Sequence, residues 1–292
     1  MICELCPRMC MATREESQGG GVCGMPALPV AARAALHHWE EPCLSGTRGA
    51  GTIFFSGCSL GCVFCQNGSI SQGRHGKPIG EAQLYQLFAQ LAEQGAHNIE
   101  LVTPTHFAHV LERVLEKPVP GGLPVVWNCS GYERVETLRH LEGKVDIYLP
   151  DLKYLSSHRA ARYSRAPDYP QVATAAILEM YRQRGPVRFE GELLRSGVMI
   201  RHLLLPGGLV EAKAVMDWVA QHFPAGAVLF SLMAQYTPMG DLSTVPELKR
   251  PLRPSEVRAA NQYMADLGLT GYVQDLAAAE EGFIPAFDGT GL

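Results

Sequence analysis

The chain reads as α/β: a partial (β/α)6, TIM-like barrel of parallel strands, preceded by a small cysteine-rich N-terminal lobe. Three observations predict this. From Ala50 onward, short β-branched or apolar runs alternate with helix-period patterns, which is how βα units and a parallel sheet appear in sequence. Each run ends in polar or conformationally special residues, and the carboxyl ends of barrel strands are where site residues gather. Residues 1–48 break the pattern, with five of the nine cysteines, a Gly19-Gly20-Gly21 turn and little periodicity. The expected division is a lobe over 1–48 and a barrel over 49–292.

The strands follow from the apolar runs: Thr52–Gly57, Asn98–Thr103, Val125–Ser130, Asp146–Leu152, Val198–Leu205 and Ala227–Tyr236. Between them, helical spacing predicts Glu81–Gln94, Phe107–Glu116, Arg134–Leu141, Pro170–Arg184 and Val210–His222. In the first of these Leu84, Leu87, Phe88 and Leu91 share a face; in the fourth, Ile177, Leu178 and Tyr181 do. Pro254-Ser255-Glu256 is a helix start, so a last helix runs over Pro254–Leu267. A short strand, Gly271–Leu276, closes the edge, and the tail Phe283–Leu292 lacks either period.

Composition narrows the class. A hydrophobic content of 47% with 18% charged residues suits a soluble globular enzyme. A net charge of −4 leaves no basic footprint for nucleic acid. No apolar run approaches the roughly 20 residues that span a bilayer, and no signal-peptide pattern opens the chain. Nine cysteines in 292 residues fall well short of a disulfide scaffold, and their spacings point to metal in a reducing, cytoplasmic setting.

The chemistry is concentrated in Cys58-Ser59-Leu60-Gly61-Cys62-Val63-Phe64-Cys65, directly after the first strand. A C-x3-C-x2-C spacing supplies three thiolates where a cubane iron–sulfur cluster normally takes four, which leaves one iron open. A zinc loop or reduced core thiols are the plain alternatives, but zinc wants a fourth ligand that this spacing does not offer. Near the N-terminus, Cys3, Cys6, Cys10 and Cys23 form a four-thiolate set able to close a zinc site or hold a second iron–sulfur cluster, or a cap without metal. Cys43 stands alone. His37-His38-Trp39-Glu40-Glu41-Pro42 reads as surface plus one buried Trp, because adjacent residues point apart.

The stretch SGCSLGCVFCQN resembles the cluster loop of the radical S-adenosylmethionine superfamily, in the subgroup related to pyruvate formate-lyase activating enzyme. The resemblance implies a [4Fe–4S] cluster on Cys58, Cys62 and Cys65 whose open iron chelates S-adenosylmethionine, with Phe64 beside the adenine and Asn67 just beyond. It also implies oxygen-free working conditions and an electron donor such as flavodoxin or ferredoxin. The second strand ends Thr103-Pro104-Thr105-His106 where that family usually has Gly-Gly-Glu, so Thr103, Thr105 and backbone carbonyls are the expected substitutes; Thr105 also reads as a helix cap. The third ends Asn128-Cys129-Ser130-Gly131, similar to the family's Thr-Asn-Gly. Asn128 and Ser130 offer short donors and acceptors, and Gly131 would let backbone approach a ligand.

The fourth strand's Asp151-Leu152-Lys153 resembles the family's Asp-Leu-Lys, and alternation puts Asp151 and Lys153 on one face. Lys153 is expected to meet the methionine carboxylate. In the fifth strand, Arg201 resembles the Ile-Arg element and offers a bidentate clamp, while His202 alternates to the opposite face. In the sixth, Tyr236-Thr237 stands where the glycyl-radical activators have Tyr-His. The resulting expectation is a radical oxidoreductase that takes hydrogen from a protein or peptide target, with a glycyl-radical enzyme as the family's own example. A small-molecule substrate, or a non-catalytic iron–sulfur or zinc carrier, is the competing reading.

Overall fold

The computed structural model describes residues 1–274 and 285–292. The strands are β1 (Val30–His37), β2 (Ala50–Phe55), β3 (Lys77–Pro78), β4 (Ile99–Val102), β5 (Val125–Cys129), β6 (Ile147–Pro150), β7 (Arg188–Glu190), β8 (Leu193–Leu203), β9 (Leu229–Met233) and β10 (Gly271–Val273). The helices are α1 (Pro42–Ser45), α2 (Gly68–Ser71), α3 (Glu81–Glu93), α4 (Ala108–Val114), α5 (Val135–His140), α6 (Ser157–Ser164), α7 (Tyr169–Arg184), α8 (Leu209–His222) and α9 (Pro254–Asp266). Part of the predicted strand Gly271–Leu276 and the first residues of the tail Phe283–Leu292 lie outside the described residues.

Neighbours in the sheet run β10-β9-β8-β6-β5-β4-β2-β1-β3. All pairs from β2 to β10 along this path are parallel, while β1 pairs antiparallel with β2, and β3 with β1. The order does not return on itself, so this is an unclosed partial barrel, and the six predicted parallel strands are β2, β4, β5, β6, β8 and β9. The sheet also takes β1 from within the segment read as the lobe.

Alternation along each strand separates two cores. Ile53, Leu101, Trp127, Tyr148, Ile200 and Phe230 face outward into the main core with the helices. Val126, Ile147, Leu149, Met199 and Leu229 face inward and pack with Cys43 and Leu44 of α1. Because β1 runs antiparallel to β2, the chain leaves it at the amino end of the parallel strands; α1 therefore plugs the barrel floor. The Asn98 side-chain amide donates to the Leu44 carbonyl at 2.9 Å and holds the plug. Besides β1, β3, α1 and α2, two further elements escaped sequence reading. β7 is a three-residue antiparallel addition to β8, and α6 is polar, with Ser156 as its cap accepting from the Arg159 amide at 3.3 Å.

Candidate functional site

The carboxyl ends of the parallel strands surround a cavity of about 270 Å³. Cys58, Cys62 and Cys65 line it, and each sulfur accepts a hydrogen bond. The Leu60 amide donates to Cys58 at 3.3 Å, the Ser164 hydroxyl to Cys62 at 3.1 Å and the Ser71 hydroxyl to Cys65 at 3.3 Å. The loop is pinned from both sides, by the Val63 amide on the Tyr163 carbonyl at 2.9 Å and the Gln72 amide on the Cys62 carbonyl at 3.0 Å. Gly61 takes φ 68° within it, a turn that L side chains resist. Burial pushes the Cys58 thiol up to about 12 and raises Cys62, although Lys153 beside Cys62 favours its thiolate. Phe64 stands in the cavity wall, edge-on to Tyr163 and Tyr236 at 6.3 Å each. Asn67 also lines the cavity, and its buried Oδ1 has no hydrogen-bond partner. An unsatisfied buried acceptor at a cavity wall is what a ligand would complete.

A continuous charge network crosses the barrel mouth. Lys153 Nζ sits 2.5 Å from Asp151 Oδ2, and Arg201 Nε 3.0 Å from Asp151 Oδ1. Arg201 also reaches Glu40 Oε2 at 3.3 Å and donates to Asn128 Oδ1 at 2.6 Å. Asn128 passes the chain to Glu100 Oε1 at 2.6 Å, and Thr52 donates to Glu100 at 3.3 Å. Burial opposes ionisation of Asp151, but Lys153 and Arg201 outweigh it and hold the carboxyl below its usual range. Burial likewise opposes the charge of Lys153, yet the Asp151 carboxylate foremost raises its pKa. Glu100 has no cation in hydrogen-bond contact, and burial pushes it to about 7. Glu40 is raised by burial and then by Glu100.

Thr103, at the end of β4, lines the cavity with φ 59°. For a β-branched residue this is strained, at a cost of order 1–3 kcal/mol. It is held there by its amide donating to the Asn128 carbonyl at 2.8 Å. Asn128 and Ser130 line the cavity as expected.

Three expectations are corrected. Thr105 does not face the mouth: it lies in a one-turn 3-10 segment, Thr105–Phe107, buried, with its hydroxyl donating to Glu133 Oε1 at 2.5 Å. It is not the cap either, since Pro104 holds that position. Gly131 serves a close approach of backbone to backbone, for a Cβ there would lie 2.1 Å from the Asp151 carbonyl oxygen. The His37–Glu41 stretch is inverted from its reading: Trp39 is 63% exposed, whereas Glu41 is only 5% exposed and, with Glu40, lines the cavity. The α1 plug drags this segment inward, which no local period reveals. Glu100 is the residue that sequence reading missed with a signal available, a lone charge in the apolar run Ile99-Glu100-Leu101-Val102.

The N-terminal lobe packs on the cluster loop. Arg8 donates to the Ser59 carbonyl at 2.8 Å, the Leu60 carbonyl at 3.0 Å and the Ser164 carbonyl at 2.9 Å. Its thiols are neighbours: Cys6 feels Cys23 and Cys3, and Cys23 feels Cys3 and Cys10. Burial pushes Cys6 up to about 12. Arg14, 1% exposed, donates to the His106 carbonyl at 2.6 Å and the Met25 carbonyl at 3.0 Å, and lies 3.5 Å from Cys3 Sγ. No carboxylate pairs with it among the described residues. Among the described residues no three Cys, His, Asp or Glu side chains close on a single-ion position. No helix among them is long and apolar enough to cross a membrane.

Comparison with known proteins adds the following. The profile of the Radical SAM superfamily matches residues 52–218. An uncharacterized protein of Methanocaldococcus jannaschii is 29% identical over 270 residues, covering 88% of this chain and 72% of its own. A spore photoproduct lyase variant superposes with a TM-score of 0.51 at 12% identity, over 79% of this chain and 78% of that one. A domain of a pyruvate-formate lyase-activating enzyme from Bacteroides vulgatus gives 0.38 at 14% identity, over 67% and 91%.

Proposed function

The chain belongs to the Radical SAM superfamily, and we propose that it cleaves S-adenosylmethionine reductively and takes hydrogen from a protein or peptide substrate. The observation that carries this reading is the convergence of one loop's three hydrogen-bonded sulfurs with Asn128, Asp151, Lys153 and Arg201 on a single cavity. Cys58, Cys62 and Cys65 fit the three ligands of a [4Fe–4S] cluster, because N–H and O–H donors aimed at sulfur suit thiolates. When bound, the cluster and S-adenosylmethionine supply an electron transfer that yields methionine and a 5′-deoxyadenosyl radical.

The chain's own residues bind and orient. Lys153 and Arg201 present positive charge for a carboxylate, while Asp151 fixes both cations. Asn128 and Ser130 offer hydrogen bonds to hydroxyls, Phe64 offers an edge for a purine, and Asn67 Oδ1 is an acceptor still to be filled. Thr103 stands strained at the wall, in the position where the activating enzymes carry their Gly-Gly-Glu. The SGCSLGCVFCQN and Asp151-Leu152-Lys153 stretches favour the activating-enzyme subgroup, and hence a protein target; a small-molecule substrate is the alternative. Reductant comes from a partner of the flavodoxin or ferredoxin kind.

In the lobe, Cys3, Cys6, Cys10 and Cys23 would hold a second metal centre, zinc or iron–sulfur. Arg14 supports this. A buried guanidinium demands a counter-charge, and metal binding turns buried thiols into thiolates beside it.

Anaerobic incubation of the reconstituted protein with dithionite and S-adenosylmethionine tests the main reading. It should release 5′-deoxyadenosine, and lasting absence of that product, with iron loaded, would leave an iron–sulfur carrier as the better description.

A further inference from the structure

The cavity continues below the cofactor mouth toward the barrel floor, and there its charges do not balance. Four carboxylates, Asp151, Glu40, Glu41 and Glu100, share the field of one guanidinium, Arg201. Lys153 answers Asp151 alone. Arg201 has already committed its donors to Asp151, Glu40 and Asn128. Glu41 is left over: it is 5% exposed, lines the cavity, and its Oε2 has no hydrogen-bond partner. Two more buried acceptors lack partners, and one of them, Gln274, lines the cavity. Ser231, fully buried on the inner face of β9 opposite Arg201, has an unpartnered hydroxyl, and Gln274 at the end of β10 has an unpartnered Oε1 in the cavity wall.

An unmatched carboxylate in a low-dielectric pocket is costly unless it holds a proton or meets a cation. The upward shifts of Glu40 and Glu100 express the same deficit of positive charge. The wall of this cavity draws residues from both ends of the sheet order, His37 and Trp39 beside β1 and Gln274 beside β10. The cavity therefore reaches the side of the barrel that the described strands leave unclosed.

We propose that this lower pocket receives the cationic head of the second substrate, an ammonium or guanidinium group, with Glu41 as its principal acceptor and Glu40 beside it. This rests on the radical reading above for the word substrate, but the binding site itself does not. A cation placed there lies on the far side of Arg201 from Lys153. Glu41 and Glu40 select the charge, and Gln274 supplies a neutral acceptor.

The test uses the reconstituted holoenzyme saturated with S-adenosylhomocysteine, which blocks the cofactor position without reacting. n-Butylamine and n-butylguanidine are titrated calorimetrically against n-butanol as the neutral match. At least one cation should bind at least about tenfold more tightly than butanol, a difference of about 1.4 kcal/mol, and Glu41→Gln should erase that margin. Glu40→Gln should reduce it, and a thermal melt of each variant establishes that it is folded. Equal binding of cations and butanol overturns the proposal, as does a cation preference that survives Glu41→Gln in a folded protein. Loss of cation binding on adding S-adenosylhomocysteine also overturns it, because the cation would then be sitting at the cofactor position. The binding of S-adenosylhomocysteine itself, read in the first titration, reports on the cofactor reading separately.

Discussion

The two cysteine groups lie against one another yet are built on opposite plans. Cys58, Cys62 and Cys65 come from one loop, face a cavity, and have neutral donors at each sulfur with Lys153 beyond. Cys3, Cys6, Cys10 and Cys23 come from the first turns of the lobe, which do not line that cavity, and a fully buried Arg14 stands against Cys3. The difference teaches how protein surroundings can give identical sulfur atoms different work. Three thiolates at a cavity would leave a coordination position for a reactant, while four in a packed lobe would use every position for the fold.

The sharpest way to break this comparison is to remove one sulfur from each group. Cys62→Ala should abolish 5′-deoxyadenosine formation, whereas Cys6→Ala should lose the lobe's metal and keep cleavage. Anaerobic product assay with metal analysis of both variants decides it, and equal loss of cleavage in the two would erase the proposed division of labour.

Lys153→Met sharpens the mouth's side. Breaking a buried ion pair costs about 3–5 kcal/mol, and Asp151 keeps Arg201, so the lower end applies. S-adenosylmethionine affinity should fall by roughly two orders of magnitude with iron content unchanged, as equilibrium binding would show. An unaltered affinity would move the carboxylate site elsewhere.

Beside the lobe lies Glu133, buried, accepting from Thr105 and felt by Cys6 and Cys129. Burial pushes it to about 7. The folded carboxyl keeps its proton up to that pH while the unfolded one releases it near its ordinary value of 4.5. The folded state therefore binds more protons across the interval, and stability declines as pH rises through it. Glu133→Gln should match the parent near pH 4.5 and exceed it at pH 8 by about 3 kcal/mol. Denaturant melts at both pH values measure this; a constant difference between the proteins would remove the buried carboxylate from the argument.

The smallest effect separates the loaded lobe from the empty one. Arg14→Met forfeits the hydrogen bonds to Met25, Pro26 and His106 in either state, but only the loaded lobe also forfeits a thiolate partner. A charged hydrogen bond contributes about 2 kcal/mol, or about 3 °C in melting temperature for a chain of this size. The metal-loaded protein should lose that much more than the chelated one. Identical losses would mean that Arg14 answers no thiolate.

Much of this was legible without coordinates. The C-x3-C-x2-C loop, Asn128, Ser130, Asp151, Lys153 and Arg201 all sit at ends or alternate positions of strands, so a period of two and the barrel's one-sided habit predict their convergence. Thr105 was misplaced because a 3-10 turn after Pro104 rotates it away from the mouth, and turn type is set by packing against Glu133. Glu40 and Glu41 were invisible because nothing local distinguishes a charged pair in a surface loop from one dragged inward by a plug.

The sequence by itself determined which residues could do chemistry and on which side of each strand they stand, since ligand type, spacing and alternation are local properties. Only the tertiary structure decided what those residues face. It closed the barrel floor with α1, set four carboxylates around one arginine and buried Arg14 against a thiol. Those are balances of charge and solvent access among segments far apart in the chain, and such balances exist only once the segments have been brought together.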